Sequence, residues 1–285
     1  MGLISSSQTH PTNGDQKNRV SCAAVAAALR EPFHIITTTL LSLLLPLSFL
    51  LLARLSTTHY LLSLSNYNPT RPTSFLSSLF LYTKNPTITP LLVSLISVSC
   101  LTHALTGKIK SLRPSSTRYR LYAAWIFLCI LQICVGLGIE GSIATGIDGC
   151  GFGQENSFLC RVIFFFGLHE TMLFWGRTVV KPVVDDTIFG YWRKEGWPEK
   201  AAIGLSYGAL WWWRLREEAE ALVGVPEMKR ELMMETGVAD FVGWWLYYLT
   251  VTIGMVRVVK GLIWTVTILA CRRGEGESRP NDDKV

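Results

Sequence analysis

Residues 33–53, FHIITTTLLSLLLPLSFLLLA, contain no Lys, Arg, Asp or Glu and are bracketed by Arg30 and Arg54. A helix rises about 1.5 Å per residue, so a run of this length crosses a hydrocarbon core about 30 Å thick. Further apolar runs follow at 87–106, 121–147, 157–175, 201–213 and 238–256. The expected fold is all-α: a polytopic membrane bundle of about six transmembrane helices, or five if 201–213 does not span. Residues 1–32 and 272–285 form polar cytosolic tails on either side of a transmembrane domain over 33–271.

Charge and cysteine usage narrow the function classes. Only 17% of residues are charged, against about 25% in a soluble domain, while 49% are hydrophobic. The apolar residues come in blocks and not at strand or amphipathic-helix period, which excludes a large soluble core. The net charge of +6 does not point to nucleic acid, because the basic residues sit at the ends of apolar runs and gather into no single patch. Lipid headgroups are the expected counter-surface. The seven cysteines include no CxxC pair and no zinc spacing. Cys150 and Cys160 flank a polar loop and are the candidate disulfide, closing a short loop in an oxidising compartment.

Orientation follows from the loops. Lys108, Lys110, Arg113, Arg118 and Arg120 crowd the loop after the second run, whereas 148–156 has no basic residue. With six spans and a cytosolic N-terminus, 19 basic residues fall inside and 7 outside; the positive-inside rule selects this arrangement. The segment 201–213 is short of the roughly 20 residues a span needs. Trp211–213 and Trp244–245 argue for its crossing, since indoles prefer the headgroup level and both clusters would share one belt. Pro32 is expected to stop an Ala-rich helix, and Pro46 to kink the first span. The start MGLISS fits the myristoylation pattern at Gly2, although one acyl chain adds little to a multi-pass protein.

Ionisable residues inside the spans carry what chemistry there is. Glu140 and Arg161 fall at matched depth near the outer face and are expected to form a structural ion pair. His103, His169 and Glu170 lie deeper at a common level, with His34 close by. Such a cluster could hold a cation or relay protons, although bonding helix to helix is the more ordinary expectation. Glu170 is expected to face the interior with His103 as its partner. HETML lacks the second histidine of HExxH, so a zincin is excluded. Asp185–Asp186 could evoke a magnesium-binding pair for diphosphate chemistry, but no second acidic cluster faces it. Pairing with Arg177 and Lys181 is the more ordinary expectation. No nucleophile-elbow, P-loop or dinucleotide motif is present. The sequence therefore assigns no catalytic residue and no cofactor.

Residues 164–190, FFFGLHETMLFWGRTVVKPVVDDTIFG, resemble an uncharacterised plant family of multi-pass transmembrane proteins, and the resemblance implies no activity. The leading functional expectation is a non-enzymatic membrane scaffold or accessory protein, whose partners are the bilayer and other membrane proteins, with no nucleic acid. It would reside in an endomembrane or the plasma membrane. The alternatives are a small cation or proton transporter or channel using His103, His169 and Glu170, and then a lipid-modifying membrane enzyme.

Overall fold

The computed structural model describes residues 13–64, 88–106, 118–144, 158–188, 190, 195–233 and 236–277; for 13–27, 62–64, 118, 120, 139–144 and 272–277 it describes the backbone alone. Among the described residues all regular structure is helical. In hydrocarbon every backbone amide and carbonyl must find its partner within the segment, and a chain of apolar blocks meets that demand as helices. The elements are α1 (Asn13–Leu64), α2 (Ile88–Thr106), α3 (Arg118–Ala144), α4 (Phe158–Trp175), α5 (Lys181–Ile188), α6 (Trp197–Leu210), α7 (Ala221–Glu231) and α8 (Val238–Glu277). A π-helical turn, Gly176–Val180, joins α4 to α5, and a second, Trp211–Leu215, extends α6.

Five helical stretches are long and apolar enough to cross a membrane: Ala28–Leu61, Ile88–Thr106, Leu121–Gly138, Phe158–Ile188 and Val238–Cys271. These contain or closely match five of the expected runs. The sixth, within α6 and its π turn, is too charged to qualify by composition, yet its contacts run antiparallel to α4. Lys181 meets Glu199, His169 meets Tyr207 and Phe164 meets Trp211 in turn. Over its 19 residues this segment spans roughly 28 Å. It covers the same height of the bundle as α4.

Pro32 does not end the first helix. α1 continues through both Pro32 and Pro46. Proline removes one helical hydrogen bond and crowds the preceding turn, and contacts on both sides of Pro32 offset that loss. Arg30 donates to the carbonyl of Ile188, and His34 bonds Asp185. Both partners lie on α5.

The closest helix crossing sets α8 against α4. A Cβ placed on Gly167 would lie 1.9 Å from the carbonyl oxygen of Thr250, and one on Gly254 would lie 2.0 Å from that of Ile163. Only glycine lets the two backbones approach so nearly, a small-residue contact suited to helices in lipid. The two helices run in the same direction, since Phe164 stacks on Tyr247 at 4.7 Å and Glu170 meets Arg257.

Two apolar clusters fill the bundle. One gathers Phe49, Phe164, Leu168, Tyr207 and Leu246; the other gathers Leu45, Leu131, Trp175 and Val184. Trp175 is fully buried and donates its indole N–H to the carbonyl of Leu41 at 3.0 Å. Beyond Arg257 the side chains of α8 turn outward, although Lys260 still donates to the carbonyl of Ala104 on α2. Residues 258–270 are exposed, with Leu262, Ile263, Trp264 and Leu269 on open faces.

Candidate functional site

Ionisable side chains concentrate at the two ends of the bundle. At one end, His34 of α1 and Asp185 of α5 approach to 2.8 Å with side-chain exposures of 2% and 3%. Lys181 stands one turn before Asp185, and its ammonium lies 3.6 Å from the Glu199 carboxylate in the first turn of α6. Arg177, in the π turn, pairs with Glu195 at 3.2 Å on the surface. The carboxylate expected to serve Arg177 and Lys181, Asp185, thus belongs to histidine, and the two cations find glutamates across the α6 boundary. Asp186 is exposed. The two aspartates therefore face different surroundings and form no paired carboxylate site.

At the opposite end the partners come from the segment between α6 and α8. The Arg54 guanidinium forks onto Glu218 with bonds of 2.6 and 2.9 Å. Arg161 pairs with Glu220, its Nη2 donating at 3.0 Å. Lys229 reaches Asp240 at 2.7 Å, and the same carboxylate accepts from the Gly237 amide at 3.1 Å. That last bond lets Asp240 reach back to the amide preceding α8, the reciprocal half of a capping box. The side chain of Glu140 lies outside the described residues; among the described residues Arg161 meets Glu220.

The residues read as a possible cation or proton cluster are distributed among separate neighbours. Glu170 lies 3.5 Å from Arg257. His103 lies against the ring of Phe174, and His169 against Phe165 and Tyr207. The expected Glu170–His103 pair is not formed. Sequence reading placed Arg257 after the last span; α8 continues through this level and carries the guanidinium alongside α4. Among the described residues no three His, Cys, Asp or Glu side chains are grouped to hold a metal ion. Cys160 is exposed with a free thiol, while Cys150 and the myristoylation candidate Gly2 lie outside the described residues.

A crevice with a largely apolar accessible surface lies beside the His34 end, between α1, the Gly176–Val180 turn and the start of α6. It encloses about 30 Å³. Its charged lining is Arg177, Lys181, Lys200, Glu195 and Glu199. The hydroxyls of Thr38 and Ser42 line it from α1, and both are buried without a hydrogen-bond partner among the described residues. Thr39, Thr89 and Ser97 are likewise buried without a partner among the described residues, whereas other hydroxyls bond locally. Thr37, Thr57, Thr58, Ser94, Thr171, Thr178 and Thr250 each donate to the carbonyl four residues earlier, the local bond that usually satisfies helical Ser and Thr. Gly176 leaves Ser42 its space, since a Cβ there would come within 3.0 Å of the Ser42 oxygen.

Sequence reading missed the Lys181–Glu199 and Arg54–Glu218 pairs. Their one sequence signal is charge at the rim of apolar runs, which gives depth and leaves the partner open. No protein-family model matches the chain, and no curated protein or solved structure matches it either.

Proposed function

We propose that the chain is a non-enzymatic scaffold or accessory component of a membrane system. It sits in an endomembrane or the plasma membrane with the His34 end and the N-terminus in the cytosol. One observation carries this reading: the charges near and within the spans meet opposite charges on other helices. His34–Asp185 ties α1 to α5, Lys181–Glu199 ties α5 to α6, and Glu170–Arg257 ties α4 to α8. Ionisable groups spent in this way hold helices together. A translocation pathway instead needs such groups to face a water-filled route. The open apolar faces of α8 over 258–270 suit lateral contact with lipid or with other membrane proteins. The resemblance of 164–190 to plant multi-pass proteins fits the same reading and adds no activity.

Reconstitution tests it. Proteoliposomes holding the full chain are expected to pass protons and monovalent cations no faster than protein-free vesicles. Flux that disappears in Glu170→Gln would overturn the scaffold in favour of a transporter. Orientation is tested separately: Asn156→Cys should react with an impermeant maleimide on intact cells or sealed right-side-out vesicles, and reaction only after permeabilisation would reverse it.

A further inference from the structure

Lys260 breaks the pattern of matched charges. Arg54, Arg161, Arg177, Lys181 and Arg257 each meet a carboxylate on another element. Lys260 is exposed, and among the described residues no carboxylate meets it; its ammonium donates to the carbonyl of Ala104, in the last turn of α2. The end of a helix carries about half a negative charge, so this bond offsets the ammonium only in part. We infer that Lys260 is the docking point for a transmembrane helix of another protein that carries a carboxylate near its middle. The inference rests on the scaffold reading and gives its partner a chemistry.

The surroundings of Lys260 are hydrocarbon. From Val258 to Leu269 the large apolar side chains are 36–68% exposed and point to every side of α8. The hydroxyls of Thr265 and Thr267 are satisfied by carbonyls four residues earlier. A helix lying in the membrane surface needs a charged face, whereas one apolar all round belongs in a core or a bilayer. α8 therefore stays in lipid until Arg272 and Arg273. Arg272 lies about 18 Å along the axis from Lys260, and a tilt of about 40° still leaves roughly 14 Å of depth. A lysine side chain does not snorkel that far, and acyl chains offer its charge no partner.

A carboxylate at the same depth on a neighbouring helix does. A second copy of this chain has none to give. Among the described residues of the five apolar stretches the acidic side chains are Glu31, Glu170, Asp185, Asp186 and Asp240. All but Glu170 stand within about one turn of a stretch end, and Glu170 is tied to Arg257. The carboxylate has to come from a different membrane protein, and the bare sides of α8 beyond Lys260 leave room for its helix.

Energy transfer tests this, between the labelled full-length chain in phosphatidylcholine vesicles and labelled synthetic transmembrane peptides of Leu and Ala. A peptide with one central Glu should associate saturably and about tenfold more tightly than its Gln counterpart, the scale of a polar bond between helices in lipid. Lys260→Gln keeps a donor for Ala104 and removes the charge. It should erase the preference, and Lys260→Arg should retain it. Equal association of the two peptides with the parent chain would overturn the partner, as would a preference that survives Lys260→Gln. Loss of association when phosphatidylserine replaces part of the lipid would overturn it in favour of a headgroup. Transfer between differently labelled copies of the chain that depends on Lys260 would overturn it in favour of self-association. Ion flux bears on the scaffold and peptide preference on this partner, so either can fail without the other.

Discussion

The two ends of the bundle use the same kinds of residue in opposite ways. At the His34 end two of the pairs are nearly dry, the side chains of His34, Asp185, Lys181 and Glu199 being exposed by 2–7%, while Arg177–Glu195 lies on the surface. At the other end Arg54 and Glu218 stay 19% and 17% exposed and meet through a two-bond fork. Lys229 and Asp240, at 9% and 7%, are as secluded as the pairs at the His34 end, but their carboxylate has further donors in the Gly237 amide and Ser56. Burial weakens screening and raises the cost of stranding a charge. The His34–Asp185 and Lys181–Glu199 pairs should therefore be fragile to single substitutions and indifferent to salt, and the Arg54–Glu218 pair the reverse.

The largest effect is expected at Lys181. Lys181→Met strands the Glu199 carboxylate in a dry setting and should destabilise the protein by about 3–5 kcal/mol, read as a lowered unfolding midpoint in detergent. An unchanged midpoint would show that water reaches this pair freely.

Asp185→Leu comes next. The imidazole it leaves can remain neutral, so the loss is that of a buried hydrogen bond, about 1–3 kcal/mol. The same measurement checks it, and a loss equal to that of Lys181→Met would mean that His34 is charged in the folded protein.

Glu218→Ala at the opposite end should cost about 1 kcal/mol, and the loss should shrink as salt rises. A salt-independent loss would place Arg54 and Glu218 in the same class as Lys181 and Glu199, and the contrast between the ends would collapse. Arg177→Gln is expected to matter least, below about 1 kcal/mol, because Arg177 itself is exposed.

Fold and site were legible to different degrees. The spans could be read because uncharged length is a local property, and α2 at Ile88–Thr106 begins one residue from the expected start. The passage of α1 through Pro32 could not, since it depends on tethers to α5, and His34 and Asp185 lie 151 positions apart. The candidate residues were placed by depth, and depth does not identify a neighbour. Glu170 was matched with His103 on a depth argument, and the answer lay in the direction of α8, set by the Gly167–Gly254 contact. Which hydroxyls lack a partner was illegible for a further reason: Thr38 and Ser42, like Thr39, Thr89 and Ser97, look like any hydroxyls in an apolar helix until the local bonds are known.

A double-mutant cycle at Lys181 and Glu199 tests most directly whether buried charges here serve to join helices. Lys181→Met and Glu199→Leu, singly and together, would be compared by reversible unfolding in detergent. The double variant is expected to recover at least about 2 kcal/mol relative to the sum of the two single losses, because removing both charges leaves neither stranded. Additive losses would show that the two groups do not depend on one another, and would contradict a bundle held by matched pairs.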